Sequence, residues 1–158
     1  MPLQKNNFET LPTISVDCVI FGYDENMLKV LVRQELVPAN GDVLKKWKLP
    51  GNHIRRHENI DSTASRILKE QTGLENIFVK QFMVFSDPDR LRKNEFEYEW
   101  VKPRLRDDRV ITVGFYSLIN ISDVDNSLLI EEARWEDAYQ LKNLMFDHTE
   151  IFDEAFKK

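Results

Sequence analysis

Residues Leu49–Leu74, LPGNHIRRHENIDSTASRILKEQTGL, form the stretch of this sequence that decides the fold. The pattern predicts a loop that runs into one short helix. Asp61 is the predicted N-cap of that helix, and Gly73 is the residue type that most often ends a helix with a left-handed cap. Apolar residues recur at the spacing of one buried helical face, at Ile60, Ala64, Ile67 and Leu68. The stretch therefore predicts a helix packed against a core.

The spacing in this stretch resembles the Nudix box, G-x5-E-x7-R-E-U-x-E-E-x-G-U, in which U is a bulky aliphatic residue. The matching positions are Glu58, Arg66, Leu68, Glu70, Gly73 and Leu74. The preceding Trp47–Gly51 segment, WKLPG, is similar to the W-x-L-P-G lead-in of the family. This resemblance implies an α/β (α+β) fold, the Nudix fold, with a mixed β-sheet sandwiched between helices. It also implies that Glu58 and Arg66 brace the box loop, residues 50–59, against the box helix.

The sequence departs from the box at Asn52, where the pattern has Gly, and at Ile67 and Gln71, where it has Glu. Positions 67, 70 and 71 share one face of a helix. The resemblance implies that carboxylates on this face hold Mg²⁺ or Mn²⁺ against a diphosphate in active members. Here Glu70 keeps its carboxylate, Gln71 offers only an uncharged carbonyl, and Ile67 completes the apolar face. We therefore expect weak metal binding at Glu70, no bound cofactor, and absent or very weak hydrolase activity. An active enzyme would need Mg²⁺ or Mn²⁺.

Composition limits the class of protein. The chain has 158 residues, 42% of them hydrophobic, which fits one domain spanning 1–158. No apolar run approaches the ~20 residues of a membrane span, and the N-terminus lacks the apolar segment of a secretory signal. The single cysteine, Cys18, lies in an apolar run, so we expect a buried, inert thiol and a cytoplasmic protein without a membrane partner. The net charge of −5 argues against nucleic-acid binding by this domain itself.

Apolar runs bounded by turn residues predict the strands. The predicted strands are 13–22, 27–34, 77–85, 109–119 and 132–135. The first two form a hairpin around Asp24–Asn26. Asn40-Gly41 is a turn signal within a loop predicted at 38–43, and another turn is predicted at 138–144. This order agrees with the Nudix fold that the box implies.

An insert at 87–108 separates two of these strands. It contains Glu95–Trp100, EFEYEW, in which acidic and aromatic residues alternate strictly. This alternation predicts a strand with one aromatic face. The insert could be a solvated hairpin, a flap over a ligand or a dimer contact, since aromatic residues supply large contact area at interfaces.

Residues 146–151, FDHTEI, have the spacing of a helix start. Asp147 is the predicted N-cap, Glu150 completes a capping box, and Phe146 and Ile151 form a hydrophobic staple. This pattern explains Asp147 and His148 structurally. The alternative for His148 is a place in the wall of a ligand pocket.

Three further segments narrow the resemblance, namely FSDPDR at 85–90, RVITVGFY at 109–116 and LMFDH at 144–148. They are similar to the branch that includes ADP-ribose pyrophosphatase-like proteins and Nudix-related transcriptional regulators. In such regulators a Nudix domain senses a small molecule and a C-terminal winged helix binds DNA. Lys158 lies about where the winged helix would begin, so we expect either one domain of a longer regulator or a free-standing Nudix protein.

Two functions follow from these observations. The departures in the box favour a non-catalytic effector-binding domain of a transcriptional regulator, with a sugar, a sugar phosphate or ADP-ribose as effector. The alternative is a metal-dependent hydrolase of ADP-ribose or another nucleoside diphosphate derivative, in which Glu58, Arg66 and Glu70 would be the remaining box residues. DNA would be bound only through the missing C-terminal domain. We expect a homodimer, because palindromic operators are read by two-fold dimers.

The ligand is expected in a pocket whose floor is the sheet and whose edges are the box loop and the insert, including Trp100. Arginine side chains would bind a phosphate or carboxylate. A neutral sugar would instead need aromatic and amide partners. The predicted ligand-binding residues are Arg55, Arg56, His57, Gln71, Arg90, Phe115, Tyr116 and His148.

Overall fold

The computed structural model describes residues 13–105 and 107–158. Its strands are β1 (Thr13–Asp24), β2 (Met27–Ala39), β3 (Asp42–Lys48), β4 (Gly51–His53), β5 (Lys80–Phe85), β6 (Val110–Asn120) and β7 (Ala133–Asp137). Its α-helices are α1 (Ile60–Thr72), α2 (Glu95–Val101) and α3 (His148–Phe156). Short 3-10 helices lie at Arg90–Lys93, Lys102–Arg104, Ile121–Asp123 and Asn126–Leu128. Within these two ranges, no helix has the length and apolar character required to cross a membrane.

The strands form one mixed sheet in the order β3-β2-β1-β6-β5, with β4 paired to β1 and β7 paired to β2. β1 and β6 run parallel, and the other strand pairs are antiparallel. β1 is buried along most of its length because it lies in the centre of the sheet, which explains its nearly continuous apolar sequence. The predicted α+β arrangement, a mixed sheet between helices, is confirmed, although β5 begins at Lys80 rather than at residue 77.

The two faces of β1 are covered by different helices. Cys18 faces a core cluster that includes Ile67 of α1, whereas Val19 faces a second cluster that includes Ile151 of α3. The prediction that Cys18 is buried is confirmed, and burial raises the pKa of its thiol. The central strand thus fixes the position of both the box helix and the C-terminal helix.

Helix α1 begins earlier than the sequence predicted. Asn59 is its N-cap: the Asn59 side chain accepts a hydrogen bond from Ser62 N–H at 2.7 Å, and Ser62 Oγ accepts one from Asn59 N–H at 3.1 Å. The prediction of Asp61 as N-cap is therefore wrong, because the Asn59 side chain already accepts the hydrogen bond from a backbone N–H of the first turn. Gly73 ends the helix with φ of 89°, as predicted, and a side chain there would collide with the backbone of Leu128.

The loop predicted at 38–43 is reduced to the two-residue turn Asn40-Gly41, because β2 and β3 continue up to it on both sides. Asn40 and Gly41 have φ of 48° and 85°, the conformation that suits a two-residue hairpin turn. The turn signal is confirmed. The extended hairpin pairs Arg33 with Lys48, which brings two cationic side chains together beside the box loop.

The prediction of a strand at Glu95–Trp100 is wrong, because these residues belong to helix α2. The Asn94 side chain caps the helix by accepting a hydrogen bond from Glu97 N–H at 3.0 Å. Glu97 and Tyr98 are both buried. Neighbouring residues point to opposite faces of a strand but only about 100° apart on a helix, so only the helix can bury both toward one side.

Tertiary contacts hold α2 against its own domain. Glu97 accepts hydrogen bonds from Lys46 Nζ at 2.7 Å and from Phe146 N–H at 2.6 Å. Trp100 stacks on Phe146 with 6.4 Å between ring centroids. Of the aromatic residues in the alternating segment, Phe96 stays at the surface with 42% exposure. The insert therefore covers one side of the box loop region.

Helix α3 begins after Asp147, as predicted, but without the predicted capping box. The Asp147 carboxylate makes no capping hydrogen bond and instead accepts two from Arg90, at 2.7 and 2.8 Å. Glu150 pairs with Lys93 at 2.6 Å. Phe146 packs in the cluster around Tyr98 rather than with the core cluster around Ile151, so the staple is also absent. The sequence pattern predicted the start of the helix correctly but not its interactions. Arg90 and Lys93 of the insert pair with the carboxylates of Asp147 and Glu150.

Candidate functional site

Position 67 of the box helix is part of the core. Ile67 is 0% exposed and packs in the cluster that contains Cys18 and Phe115 of the sheet. The interpretation of Ile67 as a core residue is confirmed. The position therefore supplies neither a ligand atom nor space for a metal ion.

Gln71 is buried, and its amide holds the box loop through two hydrogen bonds to Gly51. Its Oε1 accepts a hydrogen bond from Gly51 N–H at 2.9 Å, and its Nε2 donates one to the Gly51 carbonyl at 2.7 Å. A carboxylate could accept the first bond but could not donate the second. Glutamine at this position therefore holds the loop by two hydrogen bonds instead of offering a carboxylate to a metal ion.

Replacing Gln71 with alanine should destabilise the fold by about 2–3 kcal/mol, because it leaves a buried N–H and a buried C=O of Gly51 without partners. Urea unfolding followed by circular dichroism measures the effect. Gln140→Ala, at an exposed turn position, is the matched control and should change the stability by less than about 0.5 kcal/mol. Equal effects of the two changes would show that these hydrogen bonds contribute nothing.

Glu70, the carboxylate that remains on this face, is paired with two arginines. Its oxygens lie 3.3 Å from Arg55 Nη2 and 3.1 Å from Arg66 Nη1. Arg66 also donates to Glu58 through Nε at 2.5 Å and Nη2 at 2.9 Å, and it donates to the His53 carbonyl at 2.8 Å. The hydrogen bond from Arg66 lowers the pKa of Glu58 to about 2. These contacts brace the box loop against α1, and they neutralise the charge of Glu70.

The box residues do not fit Mg²⁺ or Mn²⁺. Such ions take several oxygen ligands, usually including carboxylates. In residues 13–105 and 107–158, no three His, Cys, Asp or Glu side chains lie close enough together to hold a metal ion. Ile67 is buried, Gln71 is engaged with Gly51, and Glu70 is paired with guanidinium groups. Positions 67, 70 and 71 therefore do not present the set of free carboxylates that the box pattern carries.

A cavity of about 480 Å³ lies beside the box loop, which is the size of a small-molecule site. β1, the β2–β3 hairpin, the box loop, the insert and the start of α3 all contribute to its walls. The polar and aromatic lining residues are Ser15, Asp17, Arg33, Glu35, Lys48, Asn52, His53, Gln71, Trp100, Arg104, Phe146 and His148.

Asp17 and His148 form a buried pair in this cavity. His148 Nδ1 accepts a hydrogen bond from Leu49 N–H at 3.1 Å, so the ring proton is on Nε2, which lies 3.2 Å from Asp17 Oδ2. Burial by itself would raise the pKa of the Asp17 carboxyl, but the adjacent His148, followed by Arg90 and Lys48, lowers that pKa below its usual value. The cavity therefore contains a buried carboxylate in its ionised form. Burial also lowers the pKa of His53, which favours the neutral imidazole, so His53 adds no positive charge to the cavity wall.

Cationic side chains line another part of the cavity. Arg33 and Lys48 share one acid, because Glu35 Oε1 lies 3.2 Å from both Arg33 Nη1 and Lys48 Nζ. Arg33 Nε is buried and has no hydrogen-bond partner among the residues described. Arg104 adds a third cation, with its guanidinium carbon 4.3 Å from the Trp100 ring centre. The excess positive charge favours an anionic ligand.

The structure brings three of the predicted pocket residues to this cavity, namely Gln71, Trp100 and His148. Arg55, Arg56 and His57 belong to the outer part of the box loop and are not in the lining. Arg90 is buried in its ion pair with Asp147, so its guanidinium is already occupied. Phe115 is in the core around α1, and Tyr116 packs against Phe82 on the opposite face of β6. Burial thus removes Arg90 and Phe115 from the cavity surface, and Tyr116 faces away from the cavity.

Sequence analysis missed Asp17, Arg33, Lys48 and Arg104. Asp17 did have a signal, because it is an acid within the apolar run of a predicted central strand, where an unpaired charge would be costly. The three basic residues had none. Their meeting depends on the strand register and on the fold of the insert, which local patterns do not specify.

Solved structures of other proteins share the fold of this chain. The Nudix domain of Shewanella oneidensis NrtR, solved in complex with ADP ribose, is 22% identical and has a TM-score of 0.69, with 98% of this chain and 92% of that chain covered. A MutT/nudix family protein from Enterococcus faecalis is 24% identical with a TM-score of 0.67, covering 99% of this chain and 63% of that chain. An ADP-ribose pyrophosphatase from Streptococcus suis is 19% identical with a TM-score of 0.54, covering 94% of each chain.

This chain is therefore similar in fold to the NrtR Nudix domain and to an ADP-ribose pyrophosphatase. The chain spans 62% of the length of another NrtR chain that it matches. No curated protein sequence is significantly similar to this chain. The family model described as NUDIX domain matches residues 11–155. On that match, and with the box helix and mixed sheet that accompany it, the chain belongs to the NUDIX domain family.

Proposed function

We propose that this chain is an effector-binding Nudix domain that does not hydrolyse its ligand. The proposal rests on the interactions of three residues of the box helix. Ile67 is in the core, Gln71 is bonded to Gly51, and Glu70 is paired with two arginines. A metal-dependent Nudix reaction needs carboxylates that are here either missing or neutralised.

The cavity beside the box loop is the proposed effector site. Its volume of about 480 Å³, its cationic wall and its buried Asp17 suit a phosphorylated or polyhydroxylated molecule. The proposed effectors are a sugar, a sugar phosphate or ADP-ribose. The similarity to a Nudix domain solved with ADP ribose makes that molecule the first to test.

In this proposal the domain belongs to a cytoplasmic transcriptional regulator. NrtR, with which the chain shares its fold, was solved in complex with a 27mer DNA, and the match covers 60% of that NrtR chain. DNA would be contacted by a further domain, since this chain carries a net charge of −5. A homodimer would place two such domains on one operator. Phe96 is the exposed aromatic residue of the insert around which a dimer contact could form.

A metal-dependent hydrolase is the second candidate function, and one observation favours it. The bracing network of Glu58, Arg66 and Glu70 is intact, as it would be in an active box. A ligand phosphate that displaced Arg55 from Glu70 would release one carboxylate oxygen, Oε1, for a metal, while Oε2 stays paired with Arg66. This route still offers one box carboxylate, which is few for a hard dication.

Purified protein should show no turnover of ADP-ribose or of nucleoside diphosphate sugars in millimolar Mg²⁺ or Mn²⁺. The physical reason is the missing carboxylates at positions 67 and 71. Phosphate release coupled to a phosphatase measures the rate, with an active ADP-ribose pyrophosphatase as positive control. Turnover of about 1 per second or faster, an ordinary enzymatic rate, would refute the non-catalytic proposal.

Binding is measured in the same preparations. Trp100 lines the cavity, whereas Trp47 and Trp135 pack elsewhere, so a bound effector should change the Trp100 fluorescence. ADP-ribose, ribose 5-phosphate and ribose are titrated separately, and Trp100→Phe is the control for the signal. A ligand that binds only the folded state must also raise the melting temperature. Without either response to any of these molecules at millimolar concentration, the effector-binding proposal fails.

A further inference from the structure

We infer that Asp17 is the residue that recognises the effector's hydroxyl groups, and that the effector is a sugar carrying a phosphate. This inference rests on the proposed function, because it names the ligand class of the same cavity. It adds a hydrogen-bond acceptor at a position that the Nudix box does not include.

Asp17 has one oxygen engaged and one open. Oδ2 lies 3.2 Å from His148 Nε2. Oδ1 accepts no hydrogen bond from any residue in the described ranges, although the Asp17 residue is only 5% exposed and lines the cavity. Oδ1 is therefore the carboxylate oxygen that a ligand donor in the cavity can approach.

One side of Oδ1 is covered by a glycine. Gly51 lies directly opposite, and a Cβ atom at this position would collide with Asp17 Oδ1. Gln71 fixes Gly51 through both backbone polar groups. The box helix therefore acts on the cavity indirectly, because its glutamine holds the glycine against which the Asp17 carboxylate packs.

The charge of the cavity selects the type of donor. Arg33, Lys48 and Arg104 bring three positive charges, against the two carboxylates of Asp17 and Glu35. This excess would repel an ammonium group that approached Asp17. A neutral hydroxyl donor meets no such repulsion, and its hydrogen bond to an ionised carboxylate is stronger than one between neutral groups.

The same cations set the second half of the ligand. Arg33 and Lys48 share Glu35, and the buried Nε of Arg33 has no partner among the described residues. Arg104 rests on Trp100 and donates from Nη1 to the Trp100 carbonyl, and its exposed guanidinium has further N–H groups that can contribute from the insert. A phosphate accepts several hydrogen bonds from such groups at once. A molecule that satisfies Asp17 and these cations together carries both hydroxyls and a phosphate.

The test compares ribose 5-phosphate with inorganic phosphate and propyl phosphate, by calorimetry, in wild type and Asp17→Asn. Wild type should bind ribose 5-phosphate at least about tenfold more tightly than propyl phosphate, which carries the phosphate without hydroxyls. Asp17→Asn should weaken ribose 5-phosphate by about tenfold or more. It should leave inorganic phosphate unchanged or bound more tightly, because the variant removes a negative charge.

The opposite signs separate a hydroxyl contact from a general effect. Asp123→Asn, an exposed position, is the matched control and should alter neither ligand. Circular dichroism checks that Asp17→Asn is folded. If it does not fold, the wild-type comparison with propyl phosphate still decides, since equal affinities would overturn the inference. Ribose 5-phosphate binding that is unchanged or tighter in folded Asp17→Asn would also overturn it.

The phosphate half has its own variant. Arg104→Ala should weaken ribose 5-phosphate and inorganic phosphate by similar factors and leave ribose unaffected. Equal binding of all three to wild type and variant would remove Arg104 from the site and overturn this half. Failure of the proposed function gives a different result, in which wild type binds neither ribose 5-phosphate nor ADP-ribose. That outcome would remove the basis of the inference as well.

Discussion

Replacing Ile67 with glutamate, the residue of the Nudix box pattern, should destabilise the fold by about 4 kcal/mol or more at neutral pH. Ile67 is 0% exposed and packs among apolar side chains of α1 and the sheet. The change removes apolar packing and places a carboxylate among buried apolar side chains. Urea unfolding of wild type and variant measures the difference. A loss below about 1 kcal/mol would mean that the helix can turn position 67 toward solvent.

The pH dependence of this variant has a defined sign. Burial raises the pKa of the new carboxyl above the ordinary value of about 4.3, so the folded state holds its proton to a higher pH than the unfolded state. The destabilisation relative to wild type should therefore grow as the pH rises from about 4 through the raised pKa. Ser65→Glu, on the exposed side of the same helix, is the matched control and should change the stability by less than about 0.5 kcal/mol.

Replacing Arg90 with methionine should destabilise the fold by about 3–5 kcal/mol. Arg90 and Asp147 form a two-point ion pair with side-chain exposures of 4% and 2%, so the variant leaves a buried carboxylate without its cation. The pair joins the insert to the start of α3, next to His148 in the cavity. Changing both partners, Arg90→Met with Asp147→Leu, should recover much of the loss because no buried charge remains.

The chain offers a close control for this experiment. Lys93 and Glu150 join the same two segments at 2.6 Å, but their side chains are 52% and 56% exposed. Lys93→Met should therefore change the free energy of unfolding far less than Arg90→Met does. Similar losses for Arg90→Met and Lys93→Met would show that burial does not determine the strength of these pairs.

The sequence predicted the parts of the fold that local patterns encode. Cys18 lies in the apolar run of a central strand, Asn40-Gly41 marks a tight turn, and Gly73 ends the box helix. Each depends on interactions between residues close in the chain, or on a strand buried on both faces. For the same reason the departure at Ile67 was interpretable, since its apolar side chain continues the periodicity of a helix that packs on the sheet.

The insert shows where local patterns fail. Glu95–Trp100 alternates as a strand does, yet it forms a helix because Asn94 caps it and Glu97 is bound from two distant parts of the chain. The capping signal at Asp147 failed for a related reason. A cap is worth about 1 kcal/mol, and a buried two-point ion pair with Arg90 outweighs it.

The sequence by itself determined that this chain has a Nudix fold and that its box lacks two of the carboxylates of the pattern, because the motif and its periodicity lie within one continuous stretch. Only the tertiary structure decided what those positions do. Gln71 holds Gly51 through two hydrogen bonds, and Asp17 pairs with His148, which is remote from it in the sequence. Such contacts depend on which strands and helices come together in space, and the energies that select them come from burial and pairing between residues remote in sequence.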